Sequence, residues 1–184
     1  MYQLVFKRKI DPVRETLAAI YKINQGISKI EYLLDKLNSR RDKLIEYAIS
    51  LENRGERFLA KKYVEEAKRI EEFYNGLSDL KLVLLKISMG LERALVTHNF
   101  RKLAEELIIL FGNIKKLPEF AIPEVGNIIM DVESSIAKLR DFSYTIDDLS
   151  FNITSDNEID KILLEAREII KKKFKLPEPP QGVG

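Results

Sequence analysis

Apolar side chains return every three or four residues along the first quarter of the chain: Ile20, Ile23, Ile27, Ile30, Leu34, Leu37, Leu44, Ala48 and Leu51, with Arg41 as the one polar member. A seam of that period runs along one face of a helix and is buried only by a second helix laid against it. Phe73, Leu77, Leu80, Leu84, Ile87, Leu91 and Ala94 repeat the spacing. Between the two runs stands Asn53-Arg54-Gly55. Asparagine and glycine tolerate the left-handed backbone that ends a helix, so the chain should reverse there. The pattern predicts a long antiparallel helical hairpin, with arms of about 40 residues, each roughly 60 Å long.

Start and stop signals place the remaining elements. Asp11-Pro12 opens the first helix: aspartate caps the free N–H groups, and proline at the first helical position loses no bond. That helix is expected over 12–53. Gly26 inside it costs about 1 kcal/mol relative to alanine, and either a close backbone approach or neutral drift would account for it. The second helix is expected from about 55 to 96. Thr97, His98 and Asn99 weaken the helical signal without a proline to break it, and form a candidate hinge. A third helix follows over 100–116, with Leu103, Leu107 and Leu110 on one face, and Pro118 and Pro123 bracket a turn. The fourth helix, 124–142, carries Val125, Ile128, Ile129, Val132, Ile136 and Leu139. Residues 143–155 are polar, β-branched and aperiodic, and read as a linker. A fifth helix, 156–173, carries Ile159, Ile162, Leu163, Ala166, Ile169 and Ile170. Pro177, Pro179 and Pro180 keep the last ten residues extended. The expected fold is therefore all-α: a basic and apolar tail over 1–10, a helical core over 11–142, the linker, a C-terminal helix over 156–174, and a proline-rich tail over 175–184.

Composition narrows the chemistry. Charged residues make up 33% of the 184, which suits long helices with polar outer faces. There is no cysteine, so disulfides and thiolate metal sites are excluded and a reducing cytoplasm is the expected compartment. The longest apolar run, residues 107–111, is far short of the roughly 20 residues of a membrane span, and no signal peptide is expected at the N-terminus. The single histidine, His98, cannot build a di-iron bundle site, which takes a Glu-x-x-His from each of two helices. No glycine-rich phosphate loop or nucleophile elbow is present. Glu65-Glu66, Glu71-Glu72 and Glu105-Glu106 diverge by about 100° on a helix, so they share no proton. No enzymatic activity and no cofactor are expected.

Charge is unevenly placed. Residues 1–62 hold 14 Lys and Arg against 8 Asp and Glu; residues 63–184 hold 17 against 21. A basic first arm suits anionic lipid, nucleic acid or an acidic partner, and the acidic remainder can compete for it. The candidate basic face of the first helix is Lys29, Lys36, Arg40, Arg41 and Lys43, with Glu31, Asp35, Asp42 and Glu46 interleaved.

The order basic helix, hairpin, second helix, possible hinge, acidic later helices and proline-rich end resembles the ESCRT-III family. Within it, the chain looks most like the archaeal cell-division proteins of the CdvB kind. Residues 20–95 carry the resemblance best, above all GERFLAKKYVEEAKRIEEF, which looks like the start of the family's second helix. The resemblance implies filaments that polymerise with paralogous subunits on the cytoplasmic face of the cell membrane at the division site. It implies membrane remodelling there, and disassembly by an AAA ATPase bearing an MIT domain. Met1, Leu4, Val5, Phe6, Lys7, Arg8 and Lys9 are then the expected membrane contact. Leu176, Pro177, Glu178, Pro179 and Pro180 look like part of the family's proline-rich MIT-binding motif. Asp160, Leu163, Arg167 and Ile170 fall near the anchors of its helical type, so which motif operates stays open.

Two other readings compete with it. A helical adaptor or cochaperone would form neither polymer nor membrane contact, and deleting residues 1–9 would not affect it. A nucleic-acid-binding coiled coil would show a steep salt slope; the interleaved acids weigh against it, and no nucleic-acid partner is expected. In the favoured reading the acidic fourth and fifth helices restrain the basic hairpin, with Glu165 and Glu168 as restraining charges. Opening at 97–99 would fuse the second and third helices.

Overall fold

The computed structural model describes residues 11–146 and 157–174, with side chains described over 11–141 and 157–172. Five α-helices follow in order: α1 (Pro12–Asn53), α2 (Arg57–Thr97), α3 (Phe100–Ile114), α4 (Pro123–Ile146) and α5 (Asn157–Phe174). A short 3-10 helix, Pro118–Ala121, joins α3 to α4. No strand occurs among the described residues, so the all-α expectation holds.

The helix boundaries have local causes. The Asp11 carboxylate accepts the Val13 N–H at 3.0 Å, and Pro12 takes the first helical position. At the other end of α1, Gly55 has φ +80°. Its N–H donates to Glu52 O at 3.0 Å, and the Glu56 N–H donates to Leu51 O at 2.9 Å. That pair of bonds is a Schellman cap, and it turns the chain back on itself. α4 continues to Ile146, four residues into the stretch expected to be linker; the rest of that stretch lies outside the described residues.

α1 and α2 pack along their length as the seams require, and α3, α4 and α5 all return to one half of this hairpin. The core sits there. Ile23, Ile27 and Ile30 of α1 meet Leu80, Leu84, Ile87 and Leu91 of α2, all buried. Leu107 and Phe111 of α3, Ile129 and Ile136 of α4, and Leu163 of α5 close it. α4 lies in one groove of the hairpin. The Lys22 ammonium donates to Ser135 Oγ at 3.0 Å, and a Cβ on Gly26 would overlap Ile128. A second glycine marks the same side: a Cβ on Gly76 would overlap the buried Glu119 carboxylate of the 3-10 helix.

Toward the turn the hairpin thins to two helices. Its buried seam residues there are Ala48, Ala60, Ala67 and Ile70, while Leu44 and Leu51 are half-buried. Alanine lets two helices approach closely but buries little area, so this arm is held by far less apolar contact than the base.

Candidate functional site

Four of the five residues of the expected basic face lie together. On a helix advancing 100° per residue, Lys29, Lys36, Arg40 and Lys43 fall within an arc of about 60°. All four are exposed. Tyr32 and Tyr47 share the flank, and Lys36 Nζ stands 4.4 Å from the Tyr32 ring centroid. Contact with the Tyr32 hydroxyl holds the Lys36 pKa above its usual value, first by hydrogen bonding and then by charge. Tyr32, Asp35, Lys36, Ser39, Arg40 and Lys43 line an open depression on this flank.

Arg41 does not belong to the face. It sits in the seam position that the spacing assigns it, half-buried, and donates to Asn38 Oδ1 at 2.5 Å and Asp42 Oδ1 at 3.3 Å. The interleaving of acids is mostly a feature of sequence order. Glu31, Asp35, Asp42 and Glu46 occupy a separate arc centred about 120° away. The bases and most of the acids thus take different flanks of α1, while Asp35 borders the depression beside Lys36 and the charge of Glu124 on α4 also acts on Lys36.

The candidate hinge is a sharp break. α2 ends at Thr97, whose hydroxyl donates to Arg93 O at 3.2 Å. His98 takes the left-handed conformation, φ 57° and ψ 22°, and its N–H donates to Ala94 O at 2.8 Å. Asn99 is buried and precedes the first turn of α3, and Phe100 tucks into the core. The His98 ring lies edge-on to Phe100, with centroids 5.9 Å apart. Left-handed backbone costs an L residue about 1–2 kcal/mol, so this bend is held by its surroundings and not by local preference.

Ion pairs that no short-range pattern could reveal surround α5. Glu165 accepts from Lys86 at 2.5 Å, Glu158 lies 3.4 Å from Arg93, and Asp160 lies 3.1 Å from Lys102. Arg167 donates to Glu106 at 2.9 Å. Hydrogen bonding from Lys86, then its charge, lowers the Glu165 pKa. Glu168, expected to share the restraint, is exposed. Lys86, Arg93 and Lys102 were not singled out by spacing, because each pairs with a residue some 60 to 80 positions away.

The tail residues Met1, Leu4, Val5, Phe6, Lys7, Arg8 and Lys9, and the motif Leu176, Pro177, Glu178, Pro179 and Pro180, lie outside the described residues. No described helix is long and apolar enough to cross a membrane. Among the described residues no group of three or more His, Asp or Glu side chains is placed to hold a metal ion. Comparison with protein-family models, with curated proteins and with solved structures returned no match.

Proposed function

We propose that this chain is an ESCRT-III-like scaffold that polymerises on anionic membrane surfaces and remodels them in archaeal cell division. The observation that supports it most is the folded-back arrangement. α3, α4 and α5 cover one half of a hairpin whose other half projects beyond them, and only His98 and Asn99 separate α2 from α3. Straightening that break returns His98 to right-handed backbone and joins α2 to α3 in one helix. The strain at His98 offsets part of the cost of opening.

The basic stripe supplies the attraction to a membrane. A Lys or Arg near an anionic surface contributes about 1 kcal/mol, and the effect fades within a Debye length. One copy therefore binds weakly, and a polymer presenting many copies binds strongly. Weak single contacts suit a reversible machine. In this reading the tail residues add to the membrane contact, and the proline-rich end recruits an MIT-domain ATPase that takes the polymer apart. Paralogous subunits join the filament.

Negative-stain electron microscopy tests this with the purified chain at low salt, alone, with phosphatidylserine-rich vesicles and with neutral vesicles. Filaments or coated tubules with the anionic vesicles are expected. Dispersed particles in every condition count against the scaffold. Tight duplex binding with a steep salt slope and no response to lipid would replace it with the nucleic-acid reading.

A further inference from the structure

The hairpin has two sides, and the described residues of the later helices cover only one. Gly26 and Gly76 mark the covered side, against α4 and the 3-10 helix. The Glu31–Lys81 ion pair, at 2.8 Å, spans the opposite groove. On that opposite side α1 is exposed from Leu17 to Ile49, at Tyr21, Asn24, Ser28, Asp35 and Asp42 as well. The described residues of α3, α4 and α5 leave it open.

This open side is not a uniform polar surface. Near the turn it carries Ile45, Ile49 and Val64, the second of them 57% exposed. At the far end it carries Leu17 and Tyr21 on α1 and Leu85, Met89 and Val96 on α2, with Val96 71% exposed. Between these apolar ends the two helices differ in sign. α1 presents Glu31, Asp35 and Asp42, while α2 presents Lys68 and Lys81, with the exposed Glu71 between them.

Heights across the hairpin are set by two contacts, Glu31 with Lys81 and Tyr47 with Tyr63. On that scale Ile49 is level with Val64, Asp42 with Lys68, and Leu17 with Val96. Two copies can meet face to face about a two-fold axis in either of two ways. An axis along the hairpin lays α1 over the partner's α2. Apolar ends then meet like ends, and the acids of α1 meet the lysines of α2. An axis across the hairpin lays α1 over α1, which brings Glu31 and Asp35 against the same residues of the second copy. Like charges so placed disfavour it.

The geometry points to a parallel two-fold dimer, in which the open side of the hairpin docks on the same side of a second copy with α1 over α2. A surface about 60 Å long and two helices wide exceeds the roughly 800 Å² per partner of a stable complex. Because the patch is self-complementary, the contact is isologous and closes at two copies. It leaves the Lys29–Lys43 stripe free, on the other flank of α1. The dimer needs neither lipid nor release of α5, so its failure and that of the membrane reading are separate results.

Sedimentation velocity of the full chain without lipid, over a concentration series, tests it. A concentration-dependent dimer is expected. Asp42→Lys should weaken it about tenfold, Lys68→Asp likewise, and the double variant should return to within about threefold of the parent. Unchanged helical circular dichroism checks that these exposed substitutions leave the fold intact. The absence of native cysteine allows orientation to be read by oxidative cross-linking of mixed single-cysteine chains. Ile49→Cys chains should link to Val64→Cys chains. A monomer throughout the series, a dimer indifferent to Asp42→Lys, or an Ile49→Cys link to Tyr21→Cys in place of Val64→Cys would each overturn the proposal.

Discussion

Two single positions tie sequence to packing most directly. Gly26 sits mid-helix, where alanine would add about 1 kcal/mol of helix propensity. A Cβ there would overlap Cγ2 of Ile128, a β-branched side chain of α4 that is 6% exposed. Overpacking of that kind costs about 1–3 kcal/mol and outweighs the propensity gain. Gly26→Ala should therefore lower the thermal midpoint; a raised midpoint would mean that α4 does not sit in this groove. His98 is the second position. Glycine adopts its φ of 57° without the steric cost of a side chain, so His98→Gly should stabilise the folded-back form by about 1 kcal/mol. Thermal melting reads the stability. Slower or weaker assembly of that variant on anionic vesicles checks whether straightening at His98 is part of assembly.

Among the elements, α5 is the one whose attachment decides the state of the molecule. Ile159, Leu163 and Ile170 are buried against α2 and α3, each contributing about 1.5–3 kcal/mol at full burial. The surrounding ion pairs join partly exposed groups, and such pairs contribute little. The acidic restraint expected from sequence is thus secondary: apolar burial holds α5, and the ion pairs set its register. Leu163→Asp should release α5, seen as faster amide exchange over 157–174, whereas Glu165→Lys should loosen it only slightly. Lys86→Glu combined with Glu165→Lys should recover that smaller loss. Acid should act in the same direction. The Glu165 pKa is lowered by Lys86, so docked α5 holds its proton less readily than free α5. Docking is favoured above the ordinary glutamate range and weakens as pH falls through the lowered pKa. Exchange over α5 that slows on acidification, after correction for intrinsic rates, would contradict this sign.

At the scale of the whole molecule, the hairpin offers different faces to different partners. The lysine–tyrosine flank of α1 faces away from the seam, α4 fills one groove, and the described helices leave the other side open. Replacing Lys36, Arg40 and Lys43 together with glutamine should cut binding to anionic vesicles at low salt by one to two orders of magnitude, at about 1 kcal/mol per charge. Flotation across a salt series measures it; binding that is unaffected by the triple change would move the membrane contact elsewhere on the chain.

The hairpin, its turn and the five helices were legible in the sequence because their causes are local. Heptad spacing, Asp11-Pro12 and Gly55 act within a few residues, and α1 begins and ends where those signals stand. The basic stripe was legible too, once the 100° advance per residue is applied to Lys29, Lys36, Arg40 and Lys43. What the sequence could not decide depends on residues far apart in the chain. Which groove α4 fills follows from Gly26 meeting Ile128 and Gly76 meeting Glu119. Which lysine holds Glu165 depends on a contact spanning 79 positions. Whether 97–99 continues a helix or breaks it was open locally, because neither proline nor glycine stands there. The burial of Asn99 and Phe100 against the rest of the core accompanies the break. Local chemistry determined the elements, and tertiary packing decided which of their faces are spent and which remain to meet a partner.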